Sequence, residues 1–307
     1  MILTVTLNPA IDTQYRLENF SINNVNRVAS VEKTPGGKGL NVSRVLNKLQ
    51  GKLIATGFLG MNNANFIEDG LNNLNIANDF LKIPGDTRTC IAIQDGNGST
   101  ELLEKGPNVD SQAWNEFKVK FLNMLSDTKV ICASGSLPKG LPDTAYKELI
   151  ELSKDKGIKF ILDSSGSSLK ASLEANPFLI KPNREELEDL FNVELTDLSS
   201  IIECGKKLQT LGAKNIMITL GGDGAILITE SKVYQGIIPK IEVMNTVGSG
   251  DSSIGGFAFG LQQGLELQDA FKLALACGSS NAMLPTTGDI QLETVEKLRN
   301  EIEIKEI

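Results

Sequence analysis

Asn245-Thr-Val-Gly-Ser-Gly-Asp251 runs straight into an amphipathic segment beginning at about Ser252, in which Ile254, Phe257, Ala258 and Leu261 fall on one helical face. Glycines ahead of a helix let backbone approach a ligand, and the helix start offers unpaired N–H groups with partial positive charge. A second stretch of the same kind, Thr34-Pro-Gly-Gly-Lys-Gly-Leu-Asn41, precedes a helix whose Val42, Val45, Leu46 and Leu49 also share a face. Around these two, short apolar runs read as strands: 2–7, 53–58, 130–133, 160–162, 178–180 and 216–220. Strands alternating with helices imply an α/β fold, a mostly parallel central sheet with helices on both faces, whose ligands bind beyond the carboxyl ends of the strands.

Two regions break the alternation. Residues 13–35 show no clear helix, and 87–106 reads as a hairpin: Arg88 to Gln94, a turn at Asp95-Gly-Asn-Gly98, then Ser99 to Lys105. Together they are expected to form a small accessory sheet, a lid over the site or a dimer surface, because a lone two-stranded ribbon is marginal in water. No repeat, low-complexity tract or Pro/Ser-rich linker divides the chain, so a single domain over 1–307 with this lid subdomain is expected.

Composition narrows the chemistry. The 307 residues contain no histidine, which removes serine–histidine and cysteine–histidine nucleophile pairs and histidine-built zinc sites. Thirty basic against thirty-eight acidic residues leave a net charge of -8, so nucleic acid is a poor partner for the chain as a whole. Cys90, Cys132, Cys204 and Cys277 are scattered singly, and buried inert thiols are expected at Cys90 and Cys132. The amino terminus reads as a strand rather than an export signal, and no apolar run approaches the roughly 20 residues of a membrane span. A cytoplasmic protein without a membrane partner is the expectation.

Asp251 has two readings: an N-cap, the commonest role of a carboxylate at a helix start, or a general base beside an anion hole made by the N–H groups of Ser249, Gly250 and Asp251. Lys38 and Asn41 suit a hydroxylated anionic ligand, although Gly39 stands where a P-loop needs Ser or Thr. Thr219-Leu-Gly-Gly-Asp-Gly224 either meets a nucleotide phosphate or is a turn between strands.

Taken in order, Asn8-Pro-Ala-Ile-Asp12, Gly36-Gly-Lys-Gly-Leu-Asn41, Lys181-Pro-Asn-Arg-Glu-Glu186, Thr219 to Gly224 and Asn245 to Asp251 resemble the PfkB (ribokinase-like) sugar kinases over nearly the whole chain. Val25-Asn-Arg-Val28, Thr87 to Ile93, Leu103-Glu-Lys-Gly-Pro107 and Ser134 to Leu141 resemble the phosphosugar branch, which holds tagatose-6-phosphate kinases, the nearer likeness, and 1-phosphofructokinases. The resemblance implies transfer of the γ-phosphoryl group of ATP to a ketohexose phosphate, with Asp251 as base and Gly248, Ser249 and Gly250 as the anion hole. It implies sugar contacts from Asp12, Gly37 and Asn41, and phosphate contacts from Lys38 and Arg88, with Arg27 and Lys105 as further candidates. Asn183 and Glu186 would organise Mg2+ and the ATP phosphates, Glu186 reaching the metal through water. Thr219, Gly221 and Gly224 would form the nucleotide loop, with Asn281 near the adenine. A homodimer through the lid is also implied. Gln50 stands where a glycine usually ends the first glycine-loop helix, so Gly51 is expected to cap it instead.

Overall fold

The computed structural model describes residues 1–96 and 98–307. From the amino terminus come β1 (Ile2–Thr6), β2 (Ala10–Arg16), β3 (Ser30–Gly36), α1 (Lys38–Lys48), β4 (Leu53–Gly60), α2 (Ala64–Asn73), β5 (Leu81–Ile83), β6 (Arg88–Asp95) and β7 (Gly98–Leu103). The middle of the chain forms α3 (Ser111–Met124), β8 (Val130–Ser134), α4 (Ala145–Lys154), β9 (Lys159–Asp163), α5 (Gly166–Leu173), β10 (Leu179–Ile180), α6 (Arg184–Phe191) and α7 (Leu198–Thr210). The remainder is β11 (Asn215–Thr219), β12 (Ala225–Ile228), β13 (Val233–Ile237), α8 (Ser249–Gln262), α9 (Leu267–Ala282), α10 (Leu292–Glu301) and β14 (Glu303–Glu306).

Ten strands form the main sheet in the order β14-β13-β12-β11-β10-β9-β8-β1-β4-β5. Seven of them, from β11 to β5, run parallel; β12, β13 and β14 add an antiparallel edge that the strand–helix alternation had not suggested. Side chains alternate between faces, as strand geometry requires. Ile2, Cys132, Ile161 and Met217 join one buried cluster with residues of α1, α8 and α9, while Leu3, Ile131, Phe160 and Ile216 join another with residues of α3, α4 and α7. The order reverses beside β1, because the chain builds β4 and β5 on one side before turning to β8, β9, β10 and β11 on the other. Such a switch point opens a crevice at the strand carboxyl ends.

A separate four-stranded sheet, β3-β2-β6-β7, grows from that crevice: β2 follows β1 after three residues, and β3 leads through Gly37 into α1. It contains the expected hairpin, whose second strand ends at Leu103 rather than Lys105. Asn97 of the expected turn lies outside the described residues. Cys90 sits on β6 only partly buried, unlike the fully buried Cys132.

Helix α8 is wedged between α1 and α9. A Cβ on Gly255 would lie 2.7 Å from Val45 Cγ1, and one on Gly256 would lie 2.9 Å from the Leu273 carbonyl oxygen, so both contacts depend on the missing side chain. This packing fixes where the amino end of α8 points. At the other end of α1, Gln50 itself adopts the left-handed conformation (φ 59°), and the Gly51 N–H donates to the Leu46 carbonyl. The cap is a Schellman turn with glutamine in the left-handed place, correcting the expectation for Gly51.

Candidate active site

The site begins at the amino end of α8. Gly248 is its N-cap with φ 82°, and the helix starts at Ser249 rather than Ser252. Asp251 is therefore the third helical residue and makes no capping bond, which removes the N-cap reading. Ser249 N–H donates to the Thr246 carbonyl and Ser252 N–H to the Gly248 carbonyl. The N–H groups of Gly250 and Asp251 have no partner among the described residues, so the free amides here number two rather than the expected three. Lys181 lies over the same turn, its Nζ 3.1 Å from where a Gly250 Cβ would stand.

Asp251 is buried at 6% exposure, and Asn41 Nδ2 donates to its Oδ2 at 2.7 Å. Behind it stands Asp163 at the end of β9, 1% exposed, its two oxygens 3.4 Å from Lys38 Nζ and 3.5 Å from Lys181 Nζ. Burial pushes the Asp251 carboxyl up to about 6, and the Asp163 charge adds to the rise; the Asn41 hydrogen bond, Lys38 and Lys181 pull against it. The Asp163 charge in turn holds Lys38 above its ordinary value. Lys38, expected among the phosphate contacts, thus has its ammonium beside Asp163 and Asp251.

On the accessory-sheet side, Asp12 of β2 presses against the Cα of Gly36, where a Cβ would lie 2.1 Å from the carboxylate. Its burial raises the carboxyl to about 6 against the pull of Arg44, Arg88 and a hydrogen bond from the Gly37 backbone. Arg88 donates to the carbonyls of Asn8 and Glu104, and it helps line a cleft of about 430 Å³ with Lys105, Asp86 and Asn108. Lys105 is exposed; its carbonyl accepts from Asn8 Nδ2. Arg27 is exposed and makes no hydrogen bond or ion pair among the described residues.

The expected nucleotide residues cluster beyond β10 and β11. Asn183 and Glu186 form a reciprocal capping box on α6: Glu186 N–H donates to Asn183 Oδ1 at 2.7 Å, and Asn183 N–H to Glu186 Oε2 at 2.9 Å. Thr219 bridges to Asn183, and Gly221 and Gly224 lie in the turn joining antiparallel β11 and β12, a turn whose backbone is placed beside the α6 cap. Asn281 is fully buried. Its Nδ2 donates to the Val247 carbonyl and Ser249 Oγ, while its Oδ1 accepts from Ser252 Oγ and the Gly288 N–H. The side chain expected beside adenine is thus engaged in holding the loop before α8.

Three residues of this constellation were given no role by the sequence. Lys181 opens the quoted Lys-Pro-Asn-Arg-Glu-Glu segment, Asp163 ends an apolar strand with a charge, and Arg44 stands at i+3 from Asn41 on α1. Each carried a usable signal, a charge adjoining an apolar run or a site residue.

Residues 5–292 match the pattern of the pfkB family of carbohydrate kinases. The chain belongs to the pfkB family. This pfkB kinase is 42% identical to a tagatose-6-phosphate kinase of Staphylococcus epidermidis over 310 aligned residues, covering 100% of both chains. It superposes on phosphofructokinase-2 from Escherichia coli, solved with potassium, with a TM-score of 0.92 at 26% identity and 98% coverage of each chain. Ribokinase from Arabidopsis thaliana shares the fold, with a TM-score of 0.80 at 20% identity, covering 97% of this chain and 98% of that one. The ribokinase-like α/β architecture and the assignment as a kinase are thereby established for this chain.

Proposed function

We propose that this kinase transfers the γ-phosphoryl group of ATP to the C1 hydroxyl of D-tagatose 6-phosphate, giving tagatose 1,6-bisphosphate and ADP. The full-length identity to a tagatose-6-phosphate kinase supports the substrate. One observation carries the mechanism: a buried carboxylate, Asp251, that caps nothing, is held by Asn41 through one oxygen, and adjoins two unpartnered amides and the Lys181 ammonium. In this reading Asp251 accepts the hydroxyl proton while the Gly250 and Asp251 amides stabilise charge on the transferring phosphoryl group. Asp12 and Asn41 orient the sugar, Gly37 contributes backbone, and Arg88 and Lys38, with Lys105, hold the substrate's phosphate.

No three His, Cys, Asp or Glu side chains able to hold a metal stand together among the described residues. Mg2+ keeps several waters and binds with substrate phosphates rather than in a protein cage, so a single carboxylate is a sufficient protein donor for it. Glu186, with one oxygen in the α6 cap, would hold it through water; when bound, it neutralises phosphate charge. Thr219, Gly221 and Gly224 would line the nucleotide.

Asp251→Asn is expected to lose about 10²-fold or more in kcat while ATP still binds. Near-normal turnover would remove Asp251 from the role. Tagatose 6-phosphate, fructose 1-phosphate and fructose 6-phosphate assayed as competing acceptors test the substrate. The likeness to a possible 1-phosphofructokinase from Thermotoga maritima favours a second reading, 1-phosphofructokinase, which a preference for fructose 1-phosphate would establish. Absence of turnover with all three would favour a sugar-phosphate sensor.

The accessory sheet acts as a lid in this reading. Val31, Leu102 and Leu103 expose about half or more of their surface on it, which supports a homodimer through that sheet. A monomer by sedimentation at micromolar concentration would refute the dimer. No helix among the described residues is long and apolar enough to cross a membrane.

A further inference from the structure

Arg44 reaches three separate parts of the fold. From α1 it donates to Oδ1 of Asn41, one turn earlier on the same helix face. It also donates to the Pro35 carbonyl of β3 at 2.6 Å and to the Thr287 carbonyl, in the loop after α9, at 3.1 Å. The residue after Thr287, Gly288, donates to Asn281, which holds the Val247–Ser252 loop. One guanidinium therefore joins the accessory sheet, the sugar side and the segment carrying Asp251.

The chemistry of the two side chains sets the direction of the chain of bonds. Arginine only donates, so Asn41 must turn its oxygen to Arg44 and its NH2 to Asp251. An amide released from Arg44 is free to turn either end toward a protonated Asp251. With Asn41 pinned, Oδ2 of Asp251 is occupied and its other oxygen is the one left for a hydroxyl proton.

We propose, on the kinase reading above, that Arg44 is a positioning residue: it fixes the Asn41 amide so that Asp251 presents one defined oxygen to the attacking hydroxyl, and it ties that geometry to β3. The charged and titratable groups facing Asp251 are Asp163 at the end of β9, Lys181 beyond β10, and Lys38 and Arg44 on α1. Those facing Arg44 are Asp12 of β2, Asp251 of α8 and Asp289 in the loop after α9. Loss of the Arg44 charge and of the Asn41 bond both favour protonated Asp251.

The test is kcat against pH, with ATP and the accepted sugar phosphate saturating, for the wild type, Arg44→Met and Arg44→Lys. Ionisation of the substrate's own phosphate is common to all three and cancels in the comparison. Arg44→Met is expected to lower kcat about tenfold or more, with KM for ATP within about twofold. Its acidic limb should move upward by roughly 0.5–1 pH unit. Arg44→Lys keeps the charge but not the planar fork, so its limb should stay within about 0.3 unit while kcat falls several-fold. An unmoved limb in Arg44→Met, or wild-type kcat in Arg44→Lys, overturns the proposal. Should Arg44→Met not fold, the Arg44→Lys result decides alone. A wild type that turns over none of the three sugar phosphates overturns the kinase reading itself, and this role with it.

Discussion

Asp251→Asn should make the protein more stable as well as inactive, and the gain should depend on pH in a defined way. Burial and the neighbouring Asp163 raise the Asp251 carboxyl from its ordinary 3.8 to about 6. The folded protein thus holds this proton more tightly than the unfolded chain does. The resulting stabilisation is full below about 3.8 and is lost as pH rises through about 6. At neutral pH the ionised carboxylate therefore costs on the order of 3 kcal/mol relative to an uncharged group of the same shape. Asparagine is such a group, and its side-chain oxygen can still accept from Asn41 Nδ2. Urea unfolding of the ligand-free protein should give an advantage for Asp251→Asn of roughly 3 kcal/mol at pH 7, shrinking to well under 1 kcal/mol at pH 4. A variant no more stable than wild type at pH 7, or an advantage of equal size at both pH values, would refute the reasoning.

Two further outcomes follow from the geometry. Arg88→Ala should raise KM for the sugar phosphate about tenfold or more and KM for ATP less than about twofold, since a charge-assisted phosphate contact is lost on one substrate only. Equal changes in both constants would assign Arg88 to folding, through its bonds to Asn8 and Glu104. Asn281→Ala empties a fully buried position and strips partners from Val247, Ser249, Ser252 and Gly288. It should cost about 3 kcal/mol or more in urea unfolding and lower kcat with it; unchanged stability would contradict the holding role.

Much of the fold was legible because helical and strand periodicities are local. The faces of α1 and α8 were read from residues three and four apart, and Val42, Val45, Leu46, Ile254, Phe257, Ala258 and Leu261 are all buried. The antiparallel edge was legible only as a possible turn at Thr219–Gly224; its outermost pairing joins Tyr234 of β13 to Glu306 of β14, distant along the chain, and no local pattern reports it. The start of α8 was placed three residues late because glycine and serine carry little helical signal; packing of Gly255 and Gly256 against α1 and α9 sets it. Asn183 and Glu186 show the opposite limit. Their three-residue spacing suits both a phosphate-organising motif and the capping box they form.

From the residues alone came the inventory of possible chemistry: no histidine, a carboxylate behind two glycines, a second glycine loop with lysine and asparagine, and an order of motifs resembling one kinase family. Where Asp251 lies relative to water and charge was not readable there. Its raised pKa depends on Asp163, Asn41, Lys38 and Lys181, which come from three other places in the sequence and meet only at the carboxyl ends of the strands. Residue type determines which proton a side chain can carry. Desolvation and Coulomb interaction fall off over a few ångströms of space rather than along the chain, so only the folded arrangement determines how tightly that proton is held.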